Sequence, residues 1–504
     1  MKKILPAAVL AASLGGVSAA QAVHINPEGL GQVLLFPFYS AESDNDTLIN
    51  VVNTTSDFKA VKIRILESMN SKEVLDFNLY LSPWDHWSAV ITADANGNGA
   101  TITSNDNSCT VPLAVSEGAT IPFRTFEFDG SGGTQADSVS GVERTNEGYV
   151  EVIEMGTVVD GSLRAAIKHD SSGEPGDCAL MNQYWSRPAG LWLPANEGSE
   201  FGLSSLTGGL YGYGVLIDVP AGAAGAYDAT AIDNWGSEGE IYHTAPGSIL
   251  PSIGSGDTEY AVFSAGGVLT GFGNPDSNAG AGWDTVSAIL MTGSLANDYV
   301  LEPTVAAGTD WVVTFPTKRE YVNGADAPEA PFTVAWDPNT SSACETFEVE
   351  YWDREERTPV TPIDPTDFSP LPPPGAIQTF SFCHEANVLT WNESNVLDAS
   401  DRTGVNLNLE EGFDNGWARI DFSVAESREL NTIGTSEAFA GQFIGLPAIG
   451  FAVQRYVNGD LGAITDPCEG DDACVTPLAE DIVRANYGGT VQHKGDVQID
   501  RDVD

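Results

Sequence analysis

The segment DANGNGA, residues 94–100, carries side-chain oxygens at the first, third and fifth positions of a short loop. Carboxylate and amide oxygens in that spacing, followed by glycine, resemble the first half of a calcium-binding loop, with a backbone carbonyl at position seven. Position twelve is Asn105 rather than a bidentate glutamate, and the flanks have the pattern of strands rather than helices. The sequence therefore predicts a weak calcium site at Asp94, Asn96, Asn98 and Ala100. A solvated Asn/Gly hairpin turn is the alternative.

Six cysteines form a second set with chemical potential: Cys109, Cys178, Cys344, Cys383, Cys468 and Cys474. An even number of cysteines in an exported chain predicts disulfide bonds. Sequence alone does not fix the connectivity, and proximity favours Cys109–Cys178, Cys344–Cys383 and Cys468–Cys474. No CxxC motif occurs, which argues against redox, haem and zinc-ribbon sites.

Catalytic signatures are missing from the sequence. There is no HExxH motif, no GxSxG elbow and no phosphate-binding glycine loop. Paired carboxylates for glycoside hydrolysis give no signal among 71 acidic residues, because some will be close by chance. Eleven tryptophans are compatible with a sugar-binding platform or, alternatively, with core packing. We therefore predict no catalytic residue and favour a protein that is not an enzyme.

The N-terminus predicts export. Two lysines precede an apolar stretch, and residues 20–22 read AQA, so residues 1–22 form a candidate signal peptide. Cleavage would leave 20 basic residues against 71 acidic ones, a formal charge of −51. Such a charge repels nucleic acids and anionic lipids and favours cations such as Ca²⁺. No later stretch is apolar for long enough to predict a transmembrane helix. We expect the general secretory route and a periplasmic, cell-surface or extracellular location.

Short runs of β-branched and aromatic residues recur between glycines and prolines, which predicts an all-β fold with long loops and few short helices. Five alternating segments at a spacing of about ten residues favour an immunoglobulin-like β-sandwich at the N-terminus. We expect this domain over 23–220, with a Gly/Ser-rich insertion near 129–147. A second β-rich region should span 221–494, with a proline-rich loop at 359–374, and 495–504 should form a frayed acidic tail. Helices are predicted at 179–184 and 477–486.

Several segments taken together resemble a group of exported proteobacterial β-rich proteins. They are TLINVVNT (47–54), EVLDFNLYLSPW (73–84), GYVEVIEMG (148–156), TDWVVTFPTKR (309–319), DREE (353–356) and GLPAIGF (445–451). The TDWVVTFPTKR string is the most specific of them. The group has no assigned activity, so the resemblance implies export and a β-rich fold and adds no site residue.

These features predict a secreted or cell-surface protein that is not an enzyme and serves in adhesion, matrix or envelope scaffolding. Its partners would be further copies of itself, other surface proteins or glycans. Assembly would use the segment 23–39, whose apolar strand either completes its own sandwich or adds to a neighbour's sheet edge. The alternatives are a secreted polysaccharide hydrolase, which needs two carboxylates beside an aromatic floor, and a periplasmic ligand-binding protein, which needs an apolar pocket.

Overall fold

The computed structural model describes residues 22–133, 135–264, 267–272, 281–324, 327–359, 378–423, 428–432, 441–460 and 484–500. Almost all strand pairs in these ranges are antiparallel and the helices are few and short, which confirms the predicted all-β class. Residues 1–21 of the predicted signal peptide lie outside the described residues, as do Cys468, Cys474 and most of the proline-rich loop. No helix among the described residues combines the length and the apolar character needed to cross a membrane.

The N-terminal part forms the following elements in chain order: β1 (His24–Ile25), β2 (Val33–Ser40), β3 (Asn45–Asn53), β4 (Phe58–Glu67), β5 (Glu73–Leu81), β6 (His86–Ala93), β7 (Ala100–Thr103), β8 (Cys109–Val111), β9 (Ile121–Pro122), a 3-10 helix (Val142–Asn146), β10 (Glu147–Val158), α1 (Gly161–Ile167), α2 (Ala179–Trp185), β11 (Leu203–Ser204), β12 (Leu210–Asp218), β13 (Ala223–Asp228) and β14 (Thr230–Asp233). Helix α2 confirms the helix predicted at 179–184.

These strands build two sheets that share one apolar core. The first has the order β1-β14-β2-β10-β4-β5-β8, with β11 paired to β10, and the second has the order β13-β12-β3-β6-β7-β9. Strand β4 shows why the sheets face each other: Val61, Ile63 and Ile65 enter the shared core. Lys62 and Arg64 point to the opposite face because side chains alternate along a strand.

The two sheets extend beyond the boundary predicted at residue 220. Strand β13 pairs with β12, and β14 pairs with β2, so the sheets continue through Asp233. The residues directly after the predicted boundary form strand β13, Ala223–Asp228, of the second sheet. The segment predicted as a loose insertion, 129–147, is anchored as well, since Arg144 is buried and forms ion pairs with Glu67 and Asp137.

The remaining elements are a 3-10 helix (Ile253–Ser255), β15 (Glu259–Ser264), β16 (Gly267–Phe272), α3 (Ala281–Leu290), β17 (Met291–Thr292), β18 (Ser294–Val300), a 3-10 helix (Pro303–Val305), β19 (Gly308–Thr314), α4 (Lys318–Val322), β20 (Glu345–Asp353), β21 (Gln378–Phe382), β22 (Ala386–Trp391), β23 (Gly404–Leu407), β24 (Asn415–Asp421), β25 (Glu429–Thr432), β26 (Gly441–Ile444), β27 (Leu446–Pro447), β28 (Ile449–Asp460), β29 (Arg484–Gln492), β30 (Lys494–Asp496) and β31 (Gln498–Asp500). The helix predicted at 477–486 is wrong at residues 484–486, which begin β29.

Two five-stranded sheets dominate this second part. Their orders are β21-β20-β24-β18-β30 and β23-β22-β19-β28-β29, and their apolar faces meet around Trp311, Phe347 and Trp391. Strands β30 and β31 pair with β18 and β26, so the frayed tail predicted from residue 495 is wrong up to residue 500. Short polar strands of this kind are held by backbone pairing and leave little hydrophobic pattern to recognise.

The N-terminal segment is built into its own fold. Strand β2 is buried along its whole length and is paired on both sides, with β14 and with β10. The lead before it is also paired, through β1 to β14 and through the Val23 N–H to the Glu259 carbonyl at 2.9 Å. The sequence predicts that the strand in 23–39 either completes its own sandwich or adds to a neighbour's sheet edge. The structure shows that it pairs within its own sheet.

Candidate functional site

The tryptophans divide into buried and exposed groups. Five of them are fully buried: Trp87, Trp192, Trp235, Trp311 and Trp391. Trp84 and Trp417 are exposed, by 69% and 42% respectively, and Trp352 is half-buried. Core packing therefore accounts for many of the eleven tryptophans but not for the exposed ones.

Trp352 and Trp417 come together on the solvent side of a sheet. In β20, Phe347, Val349 and Tyr351 enter the core, which turns Trp352 outward. In β24 the same alternation turns Trp417 outward, and the two residues are direct register partners. Their rings stack with centroids 4.1 Å apart and planes inclined by 12°. Cross-strand aromatic pairs of this kind stabilise a sheet and hold both rings in a fixed orientation.

Charged side chains surround the indole pair. Asp298 of β18 lies opposite Trp417 in the register and is exposed. Two positions along the strands, on the same face, the Arg419 Nη2 lies 2.5 Å from the Glu350 Oε2. The Asp421 Oδ2 lies 3.8 Å from the same nitrogen. We call the outward side chains of Trp352, Trp417, Asp298, Glu350 and Arg419 the indole face.

The composition of the indole face suits a sugar. A pyranose ring presents a face of C–H groups that packs on the electron-rich face of an indole, and its hydroxyls donate to carboxylates. The ion pair between Glu350 and Arg419 is about 40% exposed on both sides, so its polar atoms remain within reach of a ligand. The face can therefore bind a hydroxylated ring by stacking and by hydrogen bonds.

Disulfide Cys344–Cys383 lies at one end of the sheet that carries the indole face. Cys344 precedes β20 and Cys383 follows β21, so the bond closes the open end of this strand pair. The second disulfide, Cys109–Cys178, joins β8 to the residue before α2. Both confirm predicted pairs, whereas the third predicted pair, Cys468–Cys474, lies outside the described residues.

The predicted calcium loop forms the turn between β6 and β7. The Asp94 Oδ1 accepts hydrogen bonds from the Asn96 N–H at 2.8 Å and the Asn98 Nδ2 at 3.0 Å, and the Asp94 N–H donates to the Gly99 carbonyl at 2.8 Å. These hydrogen bonds lower the pKa of the Asp94 carboxyl. The Ala100 carbonyl accepts from the Phe123 N–H at 3.0 Å.

The geometry of this loop is that of the hairpin turn given as the alternative, and calcium binding there stays a prediction. Among the described residues, no group of three or more His, Cys, Asp or Glu side chains is placed to hold a metal ion.

Sequence reasoning did not single out the indole pair. Alternation along 346–352 predicts that Phe347, Val349 and Tyr351 share a face, which already leaves Trp352 on the other. The pairing of β20 with β24 is not visible in the sequence, because β21, β22 and β23 lie between these two strands in the chain. The missing information was therefore the strand register rather than the residue types.

Comparison with known proteins gives no assignment. No protein family, no curated protein and no solved structure matches this chain. The resemblance to exported proteobacterial proteins stays a prediction, and function is inferred from the geometry of the indole face.

Proposed function

We propose that the protein is an exported, non-enzymatic adhesion or matrix protein that attaches to neutral glycans through the indole face. The observation that carries the proposal is the stacked, solvent-facing pair of Trp352 and Trp417. Strand β24 lies between β20 and β18 in the sheet, so the pair is held on a central strand rather than on a loop. A rigid platform reduces the entropy that must be lost when a polymer binds.

A sheet face suits an extended polymer better than a compact ligand. Neighbouring strands are about 4.8 Å apart, so one row of side chains presents successive contacts at nearly the spacing of one sugar unit. Trp352, Trp417 and Asp298 form such a row across three strands. Because the inner faces of the two stacked indoles cover each other, a sugar can stack only on the outer face of either ring, and on the Trp417 side it would lie next to Asp298.

Charge favours a neutral partner. The whole chain carries a formal charge of −49, and the indole face itself has two carboxylates, Asp298 and Glu350, against the single guanidinium of Arg419. Sulfated or uronic acid polymers would be repelled, whereas the hydroxyls of a neutral polysaccharide can donate to these carboxylates.

The arrangement favours attachment over hydrolysis. Glycoside hydrolysis needs one carboxyl that donates a proton and a second that attacks or activates water. In the indole face the Glu350 carboxylate is held in an ion pair with Arg419 rather than presented beside a second carboxyl. Two disulfides are consistent with an oxidising compartment outside the cytosol.

Binding to polysaccharides tests the proposal. The mature protein should be retained in gels that contain a neutral polysaccharide and should pass freely through gels with an anionic one. Trp417→Ala should weaken retention about tenfold or more, which is roughly 1.4 kcal/mol of binding free energy. Trp84→Ala is the matched control, because it removes an even more exposed indole from the N-terminal part. Equal loss in both variants, or retention by anionic polymers alone, would contradict the proposal.

A further inference from the structure

A second candidate site lies far along the chain from the indole face, beside α2. A cavity of about 490 Å³ opens between α2, the loop that follows it and the segment 243–246. Pockets that hold small organic ligands have volumes of about 300–1,000 Å³ and are mostly apolar with a few polar groups. Trp185 and Leu193 on its wall are partly accessible, so a ligand can touch them.

The wall of this cavity is backed by stacked aromatic rings. Trp192 is fully buried and lies parallel to Tyr80, with centroids 5.7 Å apart and planes inclined by 6°. Its ring also meets Trp185 at 5.4 Å and His243 at 4.7 Å. Trp185 is therefore supported from behind, and its accessible surface is a fixed platform for a flat ring.

His243 belongs to the wall and not to a reactive centre. Its Nδ1 lies 2.6 Å from the Ser199 carbonyl, which can only accept, so Nδ1 carries the proton. Its Nε2 therefore accepts from the Tyr80 hydroxyl at 2.9 Å. Burial lowers the pKa of His243 to about 4. Because both nitrogens are occupied and the ring is neutral, the imidazole cannot bind a metal or take a proton from a ligand.

The lining of the cavity carries one positive charge and no negative one. Arg187 lines the cavity, is exposed, and forms no ion pair with any residue in the described part of the chain. None of the residues lining the cavity is acidic, although the chain has 71 Asp and Glu residues. Below the rim, the Lys62 Nζ donates to the Ala245 carbonyl at 2.9 Å while it pairs with Asp76. A guanidinium that is free of protein partners offers two parallel N–H donors to a carboxylate.

We propose that this cavity binds a small organic acid that carries an aromatic ring, with the ring on Trp185 and the carboxylate on Arg187. The site is separate from the indole face, so this inference does not depend on the proposed function. Cys178 directly precedes α2 and is bonded to Cys109 of β8, which holds the helix that carries Trp185 in place. The platform is therefore preformed, which lowers the entropic cost of binding a small ligand.

Calorimetric titration of the mature protein with benzoate, 2-naphthoate and indole-3-acetate tests the inference. At least one acid should bind at least about tenfold more tightly than the matched alcohol, which has the same ring and no charge. Arg187→Gln should remove that preference, because the neutral amide cannot form an ion pair with a carboxylate. Arg124→Gln is the matched control, since Arg124 is also exposed and forms no ion pair among the described residues.

Three outcomes would overturn the inference: no binding of any of the three acids at millimolar concentration, equal affinity for acid and alcohol, or unchanged acid affinity in Arg187→Gln. Circular dichroism of both variants checks their folding. A Trp185→Leu variant provides the second measurement, and it should weaken acid and alcohol together, because it removes the ring platform and keeps the guanidinium.

Discussion

At the residue scale, His493 shows how burial fixes a protonation state. Its Nε2 lies 2.9 Å from the Val312 carbonyl and must donate to it. Its Nδ1 lies 3.1 Å from the Asn297 Nδ2 and therefore accepts from that amide. Burial lowers the pKa of His493 to about 4, against an ordinary value of about 6.5. A second proton would break the hydrogen bond from Asn297 and place an unpaired charge in the core.

This geometry predicts an acid-dependent loss of stability. Because the folded pKa lies below the unfolded one, the contribution of His493 is fully present above about pH 6.5 and is lost as the pH falls towards 4. At pH 5 the loss should be about 2 kcal/mol of unfolding free energy. His493→Gln keeps a donor for Val312 and removes the titration, so denaturant unfolding at pH 7.5 and pH 5 should differ less in the variant. His86→Gln is the control, because it removes a histidine from an exposed position.

A second residue-scale prediction concerns Asp94. If the loop binds calcium through Asp94, Asn96 and Asn98, millimolar CaCl₂ should raise the melting temperature more than NaCl at equal ionic strength. Asp94→Ala should remove the difference. Asp170→Ala is the control, because Asp170 also caps an exposed turn, through the Ser172 N–H at 2.7 Å. An equal response to the two salts in the unaltered protein would leave only the hairpin turn.

At the scale of elements, the unusual feature is that the first sheet carries charged side chains that are buried. The face of β4 opposite its apolar core carries Lys62 and Arg64, which pair with Asp76, Glu73 and Glu151. Lys59 and Glu154 pair on the same sheet at 2.7 Å with both side chains fully buried. Such pairs persist because the Lys59 Nζ also donates to the Gly208 carbonyl at 2.6 Å, and Glu154 accepts from the Gly208 N–H at 2.8 Å.

Breaking this pair should cost far more than breaking an exposed one. Lys59→Met leaves the Glu154 carboxylate buried without its cation, so we expect a loss of about 3–5 kcal/mol of unfolding free energy. Lys59→Met combined with Glu154→Met should recover most of that loss, since no charge remains to be desolvated. Arg419→Met, which breaks a pair that is about 40% exposed, should cost under about 1 kcal/mol. Urea unfolding measures the free energy of unfolding of the three variants. Similar losses in Lys59→Met and Arg419→Met would show that burial is not the cause.

The elements themselves were largely predictable from the sequence, and their partners were not. Alternation in AVKIRILE assigns Val61, Ile63 and Ile65 to one face, and the structure places them in a core. The same pattern says nothing of what covers the other face, so the burial of Lys62 and Arg64 could not be foreseen. The indole face and the cavity beside α2 were missed for the same reason, because each is made by segments that meet only through long-range pairing or packing.

At the scale of the whole molecule, the two parts form joined cores. Val312 and Phe451 of the second part enter the core of the first, and the Thr314 hydroxyl donates to the Pro37 carbonyl at 2.6 Å. On another side, the Arg319 Nη1 donates to the Ser71 carbonyl at 2.6 Å. Removal of 23–39 would take a central strand from the first part and the packing of Val33 and Leu35 from the core of the second. Assembly by exchange of this segment would therefore require partial unfolding.

The formal charge of −49 acts on this joined structure as a whole. At low salt few ions screen the repulsion between exposed carboxylates, so this repulsion acts over long distances. Buried pairs such as Lys59–Glu154 are scarcely affected by salt. Raising NaCl from about 20 mM to about 500 mM shortens the screening length from roughly 20 Å to roughly 4 Å. We therefore expect the melting temperature to rise by a few degrees, in a single transition because the cores are joined.

A variant with less charge separates this effect from other actions of salt. Glu28, Glu117, Glu197 and Glu238 are all exposed and form no ion pair among the described residues. Changing all four to glutamine should raise the melting temperature at low salt and reduce its response to NaCl, since less repulsion remains to be screened. Differential scanning calorimetry at the two salt concentrations measures both effects. A melting temperature that falls with salt in the unaltered protein would show that attraction between exposed ion pairs outweighs the net repulsion.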